Sequence, residues 1–425
     1  MAHLLKDLPE LVAQNVISPQ TATDIEKYYA TRKHPETNTM LTIFSAFGGI
    51  LVGLGIILIF AHNWDNFSKG VKTALAIVPL IIFQVLAGYT IVKNKSSMWK
   101  EAAATLVFCM VGASISLVAQ VYNISGDFPA FLRTWILLTL PLVYLLNSNA
   151  VTVLIICFST WYAAEAGYFT DNRPYMYLAF MAALLPFYFK YLQKDANSRM
   201  AFILNWLMPL SALIAFGAFL NGAGEFGFVL YMAFICLLYN LGLLPYFSSL
   251  KHRQTGYLFL GELGIITILL ISSFRWVWTE ITEHSAPAAP FIITWVVLLL
   301  LNAALMFGYK STRFSINLKW ATLVFPLLYF IAVANIPLAT IIANLVVLGF
   351  GVMTISIGIN KLEFRTLNFG LLILAVLTTC RFFDTNISFV IRGLLFLVVG
   401  IGFFVANYIV IKKKKDTLNT HQHEN

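Results

Sequence analysis

The sequence predicts an all-α integral membrane protein: a polytopic helical bundle of about fourteen transmembrane helices, with a short N-terminal cytosolic helical hairpin. Three observations predict it. Stretches of about 17 to 24 mostly apolar residues tile the chain from Met40 to Ile411, separated by short polar connectors. A hydrocarbon core about 30 Å thick needs about 20 helical residues to cross it, so each stretch is one span. Only 11% of the residues are charged and 59% are hydrophobic, against about 25% charged in soluble domains. Finally, lysine and arginine alternate in abundance from one connector to the next.

Residues 1–39 form the one sizeable segment outside the membrane. Leu4, Leu5, Leu8, Leu11 and Val12 recur at helical spacing, and Asn15 to Ile17 interrupt them. Ser18-Pro19 then supplies an N-cap with proline at the first helical position, opening a second helix with Ala22, Ile25, Tyr28 and Tyr29 on one side. A hairpin this small buries little area alone, so it packs on the membrane domain or on a partner. Residues 40–411 are the transmembrane domain, with spans at 40–61, 71–92, 102–122, 130–147, 150–166, 175–192, 200–220, 226–246, 256–274, 289–308, 317–334, 337–359, 365–380 and 388–411. Connectors as tight as Asn147-Ser148-Asn149 and Asn335-Ile336-Pro337 make consecutive helices antiparallel neighbours. Residues 412–425 are a basic cytosolic tail.

Charge sets the orientation. With the N-terminus inside, 21 of the 28 lysines and arginines fall on the cytosolic side and 7 on the outer side. This bias supports an even span count, both termini in the cytosol, and a location in the bacterial inner membrane. The net charge of +9 is then accounted for by inner loops facing anionic headgroups. No basic cluster is interleaved with exposed aromatics on a soluble domain, so no nucleic-acid partner is expected. The partners expected are the lipid bilayer and either a small polar substrate or a cytosolic protein; the sequence is silent on oligomeric state.

Cys109, Cys157, Cys236 and Cys380 all fall in spans without a CxxC pair or nearby ligands, so neither a disulfide framework nor a metal site is expected. The first forty residues carry Asp7, Glu10, Asp24 and Glu26 and no apolar h-region, so no cleaved signal peptide is expected. HExxH, GxSxG and P-loop motifs are missing, and no catalytic residue or cofactor is assigned.

Acidic residues gather on the predicted outer face, where two connectors are dense in polar and aromatic groups. One is Ala61-His62-Asn63-Trp64-Asp65-Asn66-Phe67 after the first span; the other runs from Gln120 through Tyr122 and Asn123 to Asp127-Phe128-Pro129, followed by Arg133 and Trp135. An AxNWD-like element ending span one and an AQxYxxSGD-like element ending span three, preceded by Val16-Ile17-Ser18-Pro19-Gln20, Ile25 and Tyr28-Tyr29, resemble the bacterial membrane-protein family known as domain of unknown function 2157. The resemblance covers about residues 10–150 and implies no activity.

Short loops between spans one to four would bring the two outer connectors together, placing His62, Asn63, Trp64, Asp65, Gln120, Tyr122, Asn123, Asp127 and Arg133 around one outward-facing acidic and aromatic pocket. The structural alternative makes Asp127 an N-cap of span four, Trp64 and Tyr122 interfacial belt residues, and Asn63 a helix-end partner. Glu262 is the carboxylate well inside a span and a candidate proton or cation site, or it snorkels towards Lys251 or Arg253.

Many spans, small loops and in-span Gln84, Asn302, Asn344 and Glu262 favour transport of a small polar solute, ion or lipid headgroup. The competing reading is a membrane scaffold or sensor whose N-terminal hairpin docks a cytosolic partner. A third, a lipid-linked glycosyltransferase using Asp65, lacks the sizeable outer domain such enzymes build.

Overall fold

A computed structural model describes residues 8, 11–14, 16–31, 64–170, 172–194, 196–247, 250, 254–283, 287–308, 318–382 and 388–423. The expected first span at 40–61, with its glycines, and connector residues His62 and Asn63 lie outside the described residues, as does most of the first helix of the expected hairpin. All regular structure among the described residues is helical.

The chain divides into two compact units, Met1–Leu75 and Ala76–Asn425. In the first unit, α1 (Pro19–Thr31) is opened by Ser18, whose Oγ accepts from Thr21 N at 3.1 Å. This is the N-cap and proline pairing that the sequence places there. A single 3₁₀ turn covers Trp64–Asn66, and Lys72 Nζ lies 5.5 Å from the Trp64 ring centroid.

The unit boundary falls inside α2 (Lys69–Val92). The second unit continues with α3 (Ser97–Tyr122), α4 (Phe128–Leu145), α5 (Asn149–Tyr168), α6 (Tyr175–Lys194) and α7 (Arg199–Phe219). These are followed by α8 (Phe226–Gly242), α9 (Gly256–Ser272), α10 (Arg275–Glu283), α11 (Ala289–Gly308) and α12 (Ala321–Ala334). The last three are α13 (Ile336–Lys361), α14 (Phe364–Phe382) and α15 (Phe389–His423). Nine of the described helices are long and apolar enough to cross a membrane, or ten if the bent pair α9 and α10 is one span. Residues 226–242, 321–334 and 396–412 are shorter apolar helices. Their outer surfaces stay apolar: Val85, Leu300, Ile341 and Phe404 are each more than half exposed. Faces of this kind suit lipid rather than water.

Tight connectors are held by side-chain caps, because helix ends leave backbone donors that hydrocarbon cannot satisfy. Ser148 caps α5 through Val151 N and Ser198 caps α7 through Ala201 N, each at 3.2 Å. Asn335 ends α12 and starts α13, its Oδ1 accepting from Leu338 N at 3.0 Å.

Two main cores result. The larger joins α3 to α7 around Phe108, Ile136, Ile155, Phe180 and Leu204. The Trp135 ring covers Gly112, where a Cβ would lie 2.2 Å from it, and Trp135 Nε1 donates to Phe108 O at 2.8 Å. The second core joins α8, α9, α10, α12, α13 and α14 around Leu258, Trp278, Phe325 and Val347. Here Gly261 of α9 faces Tyr239 of α8 so closely that a Cβ would sit 2.7 Å from the Tyr239 backbone. Small residues at such crossings let van der Waals contact replace the hydrophobic drive that lipid removes.

Candidate functional site

At the end of the second unit that the charge count assigns to the outer face, α3 closes with Asn123 in the left-handed conformation, φ 51°, its N–H bonded to Ala119 O. Asp127 opens α4 and accepts from Ala130 N at 2.5 Å, with proline next in the turn. Asp127 thus caps α4, as in the capping alternative, and Asn123 ends α3. Gln120, Tyr122, Asn123, Asp127 and Arg133 are all exposed.

Tyr162 on α5 is buried. One turn further on, Glu165 Oε1 accepts from Trp161 Nε1 at 3.1 Å, while Trp161 meets the Phe128 ring edge-on at 5.1 Å. Residues of α5 thus complete the α4 connector, a contribution that spacing within the 120–133 segment did not reveal. Of the other pocket candidates, Trp64 and Asp65 lie in the 3₁₀ turn of the first unit, and the Asp65 side chain, like His62 and Asn63, is outside the described residues.

At the opposite end, Glu101 on α3 closes a second cluster. Its carboxylate accepts from Ser148 Oγ at 2.5 Å, Asn149 N at 2.7 Å and Ala150 N at 3.1 Å, meeting the N-terminus of α5. A carboxylate there satisfies orphan donors and complements the positive end of the helix dipole. Lys190 Nζ reaches Asn147 Oδ1 at 2.8 Å and Tyr191 OH reaches Asn149 Oδ1 at 2.6 Å.

The in-span polar residues separate into different jobs. Glu262 is half-buried on α9; Lys251 and Arg253 lie outside the described residues. Gln84 is exposed on α2. Asn302 is fully buried: its Oδ1 accepts from Asn240 Nδ2 at 2.8 Å, and its Nδ2 donates to Ala233 O and Leu298 O, both at 2.9 Å. Asn240 Nδ2 also donates to Thr322 Oγ1 at 3.1 Å, so these amides bind α8, α11 and α12 together. Beside them lies a cavity of about 10 Å³ lined by Cys236, Asn302, Thr322 and Pro326, among others. That is about the room of one water.

Asn344 serves a break in the helical pattern. Between α9 and α10 the chain turns by 88°. Asn344 Nδ2 donates to Ser273 O at 2.9 Å, Trp278 Nε1 to Ser272 O at 2.7 Å, and Arg381 Nη2 to Ser273 Oγ at 3.1 Å. The Arg381 guanidinium also stacks over Phe274 at 4.5 Å. These protein groups satisfy the backbone freed at the break. The sequence read residues 275–288 as an outer connector. The Trp276-Val277-Trp278 run is the signal for a helix there, and it is outweighed by its charged neighbours Arg275, Glu280 and Glu283.

A further polar seam runs between α5, α6, α7 and α9. Thr160 Oγ1 and Ser211 Oγ are 2.6 Å apart, Ser211 Oγ and Tyr177 OH 2.9 Å, and Tyr188 OH donates to Asn205 Oδ1 at 2.6 Å. Scattered one or two to a helix, these hydroxyls have no motif in the sequence. Among the described residues no group of three or more His, Cys, Asp or Glu is arranged to hold a metal ion.

The helical architecture and the family comparison agree that the chain is a multi-pass membrane protein. Comparison with curated proteins and with solved structures found no match. Residues 9–152 match the model of the family described as "Predicted membrane protein (DUF2157)", the family that the two connector elements resemble.

Proposed function

We propose that the protein moves a small polar solute, ion or lipid headgroup across or along the bilayer. The observation that carries this reading is the discontinuous helix α9–α10, broken by 88° beside Arg381 and Asn344. Helices interrupted at membrane depth are the parts from which transporters build sites, because the break frees backbone groups that an unbroken helix consumes.

On this reading about fourteen spans cross a bacterial inner membrane with both termini in the cytosol, supported by the 21-to-7 partition of lysine and arginine. The N-terminal hairpin lies on the cytosolic face, and Gln120, Tyr122, Asn123, Asp127 and Arg133 line an outward-facing polar site at the α3–α4 connector, supported by their exposure there. Glu262 serves as an intramembrane proton or cation site, supported by its half-buried place on α9. Uptake of radiolabelled amino acids, sugars and glycerol phosphate into proteoliposomes tests the reading; no uptake above protein-free vesicles for any of them would overturn it. Cysteine labelling that places Asp127 in the cytosol would sink the orientation.

The scaffold reading has one observation of its own. The cavity beside Asn302 holds about 10 Å³, room for about one water and not for a solute. A scaffold would lose a cytosolic partner on deletion of residues 1–39, while its membrane level stayed normal.

A further inference from the structure

We infer that the small cavity between α8, α11 and α12 is a binding site for a single water, which replaces the helix hydrogen bond that Pro326 removes from α12. Such a water belongs to a transporter and to a scaffold alike, so it stands or falls independently of the transport reading.

Pro326 lies inside α12. Proline has no N–H, so Thr322 O, one turn earlier, loses the donor that an unbroken helix would give it. In hydrocarbon a carbonyl freed in this way needs a hydrogen from a neighbouring helix or from an ordered water. Thr322 is 6% exposed, so that hydrogen has to come from within the protein. The carbonyl points along the helix at the Pro326 ring, and both residues line the cavity, together with Met232, Cys236, Asn302 and Phe325. Its volume of about 10 Å³ gives room for one water.

The amides beside the cavity fix which atoms accept. Asn302 Nδ2 uses both hydrogens on Ala233 O and Leu298 O, each at 2.9 Å, so Asn302 presents Oδ1 to Asn240. Asn240 must then present Nδ2, which reaches Asn302 Oδ1 at 2.8 Å and Thr322 Oγ1 at 3.1 Å. Asn240 Oδ1 is thereby turned away from both, and it is buried without a hydrogen-bond partner among the described residues. Asn240 lies one turn from Cys236, in the cavity wall. Thr322 Oγ1 accepts from Asn240, which leaves its own hydrogen for another acceptor. Two acceptors, Thr322 O and Asn240 Oδ1, thus lack a hydrogen, and one hydroxyl has a hydrogen to give. A water answers all three, and about three partners is usual for a buried water. A cation would serve only the acceptors and would be repelled by the Asn240 NH₂. Most of the wall is apolar, and a wholly apolar void would stay dry. Thr322 and Asn302 are what make this one a site.

Hydroxyl-radical labelling by a brief X-ray pulse, on the full-length protein in detergent, tests the site. A water bound in the cavity yields its radical in place and oxidises the side chains beside it. Met232 and Cys236 line the cavity and are 1% and 2% exposed, so radicals from bulk water do not reach them. Met232 should be oxidised severalfold more than Met208, a 5% exposed methionine of the N-terminal core, and Cys236 should be labelled with it. Pro326→Ala returns an N–H to Thr322 O and should bring Met232 down to the level of Met208. If that variant does not fold, Thr322→Val removes the hydroxyl at nearly constant shape and should lower the labelling in the same way. Oxidation of Met232 no greater than that of Met208 in the wild type overturns the site. Labelling of Met232 that persists unchanged in a folded variant overturns it as well.

Discussion

The N-terminal core, α3 to α7, and the C-terminal core, α8 to α14, pack in the same way but place different polar groups in their interiors. Both contain a glycine against a neighbour's backbone: Gly167 would put a Cβ 2.3 Å from Ala218 O, and Gly261 would put one 2.7 Å from Tyr239 Cα. The N-terminal core then relies on hydroxyls: Thr160, Ser211 and Tyr177 join in hydrogen bonds whose sense can turn, and Tyr188 donates to Asn205 Oδ1. The C-terminal core relies on amides. Asn240 and Asn302 tie helices to one another, while Asn344 ties α13 to a break. A hydroxyl both donates and accepts through one rotatable bond, whereas an amide's donor and acceptor ends are fixed. One core is therefore tied by links whose sense can turn, and the other by links that hold a bent helix in place.

The largest effect should come from the shared device. Gly167→Leu and Gly261→Leu should each cost about 3 kcal/mol or prevent folding, because the obstructing atoms are backbone and cannot swing aside. Thermal unfolding in detergent checks this, and a mild effect in one core alone would show that the two cores are packed differently after all. Next in size is Asn302→Leu. It removes three hydrogen bonds and leaves Asn240 Nδ2 with Thr322 Oγ1 as its partner, for a loss of about 1 to 2 kcal/mol. Glu101→Gln should follow at about 1 kcal/mol, since it turns an NH₂ towards a backbone N–H at the start of α5. Smallest in stability should be Ser211→Ala, at about 0.6 kcal/mol. Its value lies in the contrast: a small change in melting would show that the hydroxyl links tie the helices less strongly than the amides do. If Ser211→Ala destabilised more than Asn302→Leu, the hydroxyl seam would be the structural core and the amides the mobile element.

Some of this was readable one residue at a time. Asp127-Phe128-Pro129 and Ser18-Pro19 carry their caps in their own side chains, and both caps form as written. Asn147-Ser148-Asn149 predicts a tight turn for the same reason, yet its cap partner Glu101 sits 47 residues earlier and no local pattern points to it. Glu262 stood out because one charge in an apolar run is conspicuous; Ser211 did not, because one hydroxyl in a span is ordinary.

The sequence by itself determined what depends on composition and period. Apolar runs of span length, polar connectors and alternating basic charge decide that this is a multi-pass helical membrane protein, because a bilayer admits helices and rejects unpaired backbone. The tertiary structure alone decided which polar groups meet. Thr160, Tyr177, Tyr188, Ser211 and Tyr257 belong to four helices, and Asn240, Asn302 and Thr322 to three more. In lipid, helix association is set by close packing at small residues rather than by a hydrophobic stripe. Which faces meet is therefore a property of shape, and the partners of each buried polar atom exist only once the helices have docked.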